Sequence, residues 1–206
     1  MTDQDITSGR LGEQSSAETA KLISRVLHPF VLGPVVFLYF SLTFTNSLGF
    51  GLLVWFITFL ATNVSIGLYV YSMKHRGRTT SIDVPDRILR RAPFRVGIAG
   101  YALATLVLYF IDAPVVVIAL MGVYTINTSI AMVINHWWKI SIHGMGLGGT
   151  LVPFLYLYGG LWWFCTLLFP VMIYSRVKLK AHTPAQAISG ITLAFVLTWI
   201  QFAIWI

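Results

Sequence analysis

The sequence predicts an all-α, polytopic transmembrane helix bundle, and three observations predict it. Of 206 residues, 57% are hydrophobic and only 10% are charged, whereas soluble domains carry roughly 25% charged residues. With a mean hydropathy of +0.78, the apolar residues gather into repeated stretches long enough to cross a hydrocarbon core of about 30 Å. Polar turn signals punctuate those stretches: Asn46-Ser47-Leu48-Gly49, Asp112-Ala113-Pro114, Gly159-Gly160 and Thr183-Pro184.

Taken in order, residues 1–15 lack an apolar period and read as a disordered tail. Residues 16–28 carry Leu22, Ile23 and Val26 at helical spacing beside Lys21 and Arg25, the pattern of an interfacial helix leading into the membrane. A single transmembrane domain over 29–206 then holds about six to seven spans, drawn at about 30–46, 50–73, 95–111, 114–134, 142–158, 160–174 and 185–205. The sixth is short and contains Pro170, so a tilted, kinked or partly re-entrant segment is expected there. No repeat or second domain is visible. Since no basic stretch precedes an apolar one at the N-terminus, no cleavable signal peptide is expected. Cys165, the single cysteine, lies beside Trp162, Trp163 and Phe164 in an apolar span and offers neither an internal disulfide nor a thiolate metal cage.

Threading seven crossings sorts the charges. Every Lys, Arg and His, and every acidic residue except Asp112, falls on the side of the N-terminus, in the tail or in segments 74–95, 135–143 and 175–182. The positive-inside rule assigns that face to the cytoplasm. The net charge of +7 sits between apolar spans, where anionic headgroups or a phosphorylated ligand are nearer partners than nucleic acid.

Three charged-side segments carry chemistry. In Ser175-Arg176-Val177-Lys178-Leu179-Lys180-Ala181-His182, an arginine and a histidine can converge across a tight inter-helical turn. Lys139-Ile140-Ser141-Ile142-His143-Gly144 opens the fifth span, where free backbone N–H groups and the helix dipole favour an anion. Asp83-Val84-Pro85-Asp86-Arg87-Ile88-Leu89-Arg90-Arg91-Ala92-Pro93 places Arg87 and Arg91 at i, i+4 spacing on one expected helical face, with guanidinium forks suited to phosphate oxygens.

With these residues in view, the chain resembles the type 2 phosphatidic acid phosphatase superfamily, whose ordered motifs are K-x6-R-P, P-S-G-H and S-R-x5-H-x3-D. Ser175-Arg176 and His182 reproduce the start of the third motif, which implies a phosphate-binding Arg176 and a nucleophilic His182. Ser141 and His143 match the serine and histidine of the second, implying a phosphate contact and a general acid; its proline and glycine are absent. Arg90 or Arg91 followed by Pro93 is similar to the first motif's R-P element with an insertion, and Arg87 stands for its lysine. The third-motif aspartate is replaced by Gln186, which can orient the histidine but brings no full charge; Asp83 and Asp86 are the nearby acidic candidates for that partnership.

The resemblance implies a membrane lipid phosphatase acting on a phospholipid or polyprenyl phosphate through a phosphohistidine, with Arg176, Arg87, Arg90, Arg91, Lys139 and Ser141 around the phosphate. It implies neither cofactor nor metal, and the sequence offers no carboxylate cluster or HExxH pair for one. The replaced aspartate motivates an alternative, a non-catalytic phospholipid-binding protein of the same fold. Elsewhere, Lys178 and Lys180 read as headgroup contacts, and His28, His75 and His136 as interfacial residues. Asp112 reads as a helix N-cap, and Asn127 and Asn135 as inter-helical hydrogen-bond partners.

Overall fold

The computed structural model describes residues 3–206, with side chains from Glu13 onward, and these residues form helices and no strand. The first helix, α1, runs Asp3–Val26. This corrects the expected tail over 1–15, which is helical from Asp3; no proline precedes Pro29, so nothing stops the helix from extending outward from its apolar segment. Met1 and Thr2 lie outside the described residues.

Pro29 ends that run, because a residue before proline avoids helical backbone. His28 is accordingly extended, with φ −68° and ψ 140°, and caps α2 (Pro29–Thr43) by accepting the Phe30 N–H at Nδ1, 3.1 Å away. The chain returns through α3 (Leu48–Phe59), a π-helical turn (Leu60–Val64) and α4 (Ser65–His75). It then crosses through α5 (Arg91–Phe110), α6 (Val115–Asn135) and α7 (Ile142–Tyr158). A 3-10 run (Gly160–Leu167) leads into α8 (Leu168–Lys178), and α9 (Pro184–Trp205) follows.

Among the described residues, six helical stretches are long and apolar enough to cross a membrane: Glu13–Thr43, Leu48–His75, Arg91–Phe110, Val115–Asn135, Gly160–Lys178 and Pro184–Trp205. That fits an integral membrane protein. The expected span missing from these six is the fifth, 142–158, which corresponds to α7; at 17 residues it extends only about 25 Å. It is the enclosed helix of the bundle, with 12 of its residues buried. Pro170 falls in the first turn of α8, where a helix has orphan N–H groups anyway; the irregular stretch of the sixth span is the 3-10 run before it.

Glycine lets α7 and α9 approach until their backbones touch. A Cβ on Gly144 would lie 2.9 Å from the Ala187 carbonyl oxygen, one on Gly148 2.4 Å from that of Ile191, and one on Gly190 2.5 Å from that of Ser141. Gly144 and Gly148 are four residues apart, so they share one helix face, the spacing by which apolar helices pack closely. The contact sets the starts of α7 and α9 side by side, where the Ser141 N–H donates to the Gln186 carbonyl at 3.3 Å.

Beyond the midpoint the bundle fills with large side chains, among them Phe37, Phe40, Leu120, Met121 and Phe202, all fully buried. Asn127 bridges α6 and α9 as expected, donating to Thr198 Oγ1 at 3.0 Å and accepting from Gln201 at 2.9 Å. Asn135 differs. It donates to the Arg87 carbonyl at 2.9 Å and so fastens a loop rather than a helix. Asp112 is no N-cap: it sits in a turn at φ 53°, and Pro114 occupies the cap position of α6.

Candidate functional site

A cavity of about 190 Å³ opens between the helices at the charged face. Its mouth carries His28, Asp83, Arg90, His143, Arg176 and His182, and its walls below are largely apolar. Each mouth residue sits where an element ends: His28 before α2, Arg90 at the cap of α5, His143 in the first turn of α7, Arg176 in the last turn of α8 and His182 just before α9. Four of the sequence-predicted site residues, Arg90, His143, Arg176 and His182, therefore share one cavity.

Arg176 is the hub. It is 3% exposed; Nη2 donates to Asp83 Oδ2 at 3.1 Å, and Nη1 donates to Ser24 Oγ of α1 at 2.6 Å and lies 3.4 Å from His143 Nε2. Its Nε is buried with no partner among the described residues. Because His28 Nδ1 accepts the Phe30 N–H, the ring proton is on Nε2, which donates to Asp83 Oδ1 at 3.2 Å. Asp83 Oδ1 also lies 4.0 Å from His143 Nε2. Burial works to raise the Asp83 carboxyl, but the His28 hydrogen bond and the charges of His143, Arg176 and His28 together outweigh it. They hold the group well below the usual carboxylate range.

His28, Asp83 and His143 offer ligand atoms within 4.8 Å of one another, close enough to pose the question of a metal ion. The donor set does not fit one. Ligation through His28 Nε2 would move its proton to Nδ1, which faces a backbone donor, and the Arg176 guanidinium already neutralises the carboxylate. Asp83 instead ties its neighbours together, accepting from His28 and pairing with Arg176.

His182 is 7% exposed, in a setting built by the turn itself. Its Nδ1 lies 3.3 Å from Gln186 Oε1, which also accepts the Thr183 N–H at 3.2 Å in a capping box. With the Nδ1 proton given to that amide oxygen, Nε2 keeps its lone pair. Burial first, then the charges of Arg90, Lys139 and Arg176, push His182 down to about 4. The ring is uncharged at neutral pH.

Other expected members distribute differently. Arg90 enters the cavity wall, 7% exposed, and is held by the carbonyls of Val84 at 2.8 Å, Ile140 at 3.2 Å and Asp83 at 3.4 Å. Lys139 donates to the Ala181 carbonyl at 3.0 Å, beside His182. Arg87 and Arg91 do not line the cavity. Residues 87–90 form a turn, so the expected i, i+4 helical face is absent; Arg87 donates to the carbonyls of Asn135 and His136, and Arg91 Nη2 lies 2.9 Å from His136 Nδ1. Ser141 is fully buried and caps α7, accepting the Gly144 N–H at 3.2 Å, and does not line the cavity either. Asp86 accepts the Ile88 N–H at 2.8 Å in its turn.

His28 and Ser24 belong to the cluster although the sequence suggests only membrane-surface roles for them. Asp83 serves His143 and Arg176, not His182. No family model, characterised protein or solved structure matches the chain in comparison, so the residues themselves carry the functional reading.

Proposed function

We propose that the chain is a metal-independent phosphatase of a membrane lipid phosphate, related to the type 2 phosphatidic acid phosphatases and working from its charged, cytoplasmic face. The observation that carries this is the convergence of His182, His143, Arg176 and Arg90 at the mouth of one cavity with apolar walls. A phosphate at the mouth meets two guanidinium groups, and its lipid tail extends into or between the helices.

In this reading His182 Nε2 attacks phosphorus in line as the bond to the alcohol oxygen breaks, and His143 gives the departing oxygen a proton. Water then attacks the phosphohistidine and passes a proton to His143; the P–N bond breaks and inorganic phosphate leaves. Arg176 and Arg90 spread the charge on the equatorial oxygens, with Lys139 adding positive field beside His182. The unpartnered Arg176 Nε is a donor in reserve for the anion. Asp83 acts through others: it pins Arg176 and orients His143.

Purified protein in detergent, offered phosphatidate, phosphatidylglycerophosphate and a polyprenyl phosphate, is expected to release phosphate from one of them equally well with and without EDTA. His182→Ala is expected to end that release. Gln186 motivates the second reading, a phospholipid-binding protein without turnover, because a shared amide oxygen is a weak partner for a nucleophile. Lipid binding with no release from any substrate would establish it instead.

A further inference from the structure

Helix α1 lends the mouth cluster a hydroxyl, that of Ser24, and the surroundings fix where its proton points. A serine inside a helix ordinarily bonds back to a carbonyl of the preceding turn, as Ser16 does to Glu13 and Thr19 does to Ser15. Ser24 does not. The carbonyl one turn before it, that of Ala20, accepts the helical N–H of Ser24 and also the Ser175 hydroxyl of α8 at 2.7 Å, which occupies both of its lone pairs. Ser175 and Ala20 are fully buried, so this bond seats α1 against α8 at the residue beside Arg176.

The remaining protons can be placed one by one. Arg176 has only donors: Nη2 gives to Asp83 Oδ2, and Nη1 gives to Ser24 Oγ at 2.6 Å. Having accepted from Arg176, Ser24 turns its own O–H to His143 Nε2, 3.4 Å away. Arg176 Nη1 stands at the same 3.4 Å from that nitrogen. Two donors thus converge on Nε2, so the uncharged ring keeps a lone pair there and carries its proton on Nδ1. That second nitrogen has no hydrogen-bond partner among the described residues and is not sealed from open space, and His143 lines the cavity.

We infer that Ser24 is a positioning residue of the active site: it holds Arg176 and His143 side by side and commits the His143 ring to the form that presents an Nδ1–H to the cavity. Its part in turnover rests on the phosphatase reading; the placement of the ring proton does not. A hydroxyl suits this position because it rotates. It donates to Nε2 of the uncharged ring and accepts from Nε2–H when the ring takes up a second proton. Alanine can do neither. The N-terminal helix is therefore part of the site, although Ser24 lies outside all three charged segments that carry the motifs.

The test reads the ring nitrogens directly, by nitrogen NMR of the full chain in detergent with isotope-labelled histidine near neutral pH, His143→Gln identifying the signals. A protonated Nδ1 and a bare Nε2 are expected. Ser24→Ala is expected to move the proton toward Nε2, where Asp83 Oδ1 stands 4.0 Å away to accept it, and to slow phosphate release about tenfold. Ser24→Thr, which keeps the hydroxyl, is expected to restore both. A proton on Nε2 in the unaltered chain overturns the inference, and so does a ring that Ser24→Ala leaves unchanged. Should neither variant fold, the protonated nitrogen of the unaltered chain decides alone. The two readings fail separately: an Nδ1–H ring in a chain that releases no phosphate removes the phosphatase reading only, and release by a chain whose Nε2 carries the proton removes this inference only.

Discussion

The two histidines at the cavity mouth live in opposite surroundings. His143 stands in a cluster assembled from four separate segments, with Ser24 from α1, His28 before α2, the Asp83 loop and Arg176 from α8. His182 is held by its own turn, through Gln186 four residues on. In the resemblance a carboxylate belongs beside the nucleophile; here the carboxylate near the histidines, Asp83, stands on the side of His143. In the proposed mechanism the one negative charge therefore serves the proton donor and not the nucleophile.

The largest effect that would break this contrast is at His182 itself. His182→Ala is expected to reduce phosphate release to background, and no added imidazole-free buffer should restore it. Next comes Asp83→Asn, expected to lower turnover by about 10²- to 10³-fold, the range of a misplaced acid–base group. Burial, and then the Arg176 charge, already hold His143 below the ordinary histidine range while Asp83 opposes them, so the same change should move any limb of the rate profile set by His143 to still lower pH. An unchanged profile would make Asp83 a structural anchor only.

Gln186→Asp sharpens the contrast from the other side. A carboxylate at this position stabilises the His182 imidazolium, so the acid limb should rise from about 4 toward the ordinary histidine range, with turnover rising several-fold. A smaller effect belongs to Lys139→Met. Removing a charge that disfavours the imidazolium should shift the acid limb upward slightly, with little change in maximal rate. Stability follows the same sign. The unfolded chain takes up this proton near 6.5 and the folded chain only near 4, so the stability gained by keeping the ring neutral is present above 6.5 and declines as pH falls between these values.

Much of this was legible in the residues, and what was hidden has a physical cause. Apolar length and turn chemistry locate the helices to within a few residues, because a span must satisfy its own backbone. The order and sidedness of Ser175-Arg176, His182 and His143 bring these residues to one mouth. Arg90 could not be separated from Arg87 and Arg91 without knowing that 87–90 is a turn, which removes the helical periodicity. Ser24 and His28 were hidden because they meet partners 152 and 55 residues away, and no local spacing reports such a contact. The helical stretch from Asp3 escaped because a polar composition without an apolar period says little when the segment continues from an anchored helix.

The glycine contact between α7 and α9 has a consequence for mutational maps of this protein. Gly148→Ala would drive a methyl group into the Ile191 carbonyl and separate the helix starts that hold His143 and His182. Such overpacking costs about 1–3 kcal/mol or more, and thermal unfolding should show the loss alongside the lost activity. In a saturation scan read by activity alone, Gly144, Gly148 and Gly190 would therefore score like His182. Only a parallel scan of protein abundance would separate the residues that react from those that merely let two backbones meet.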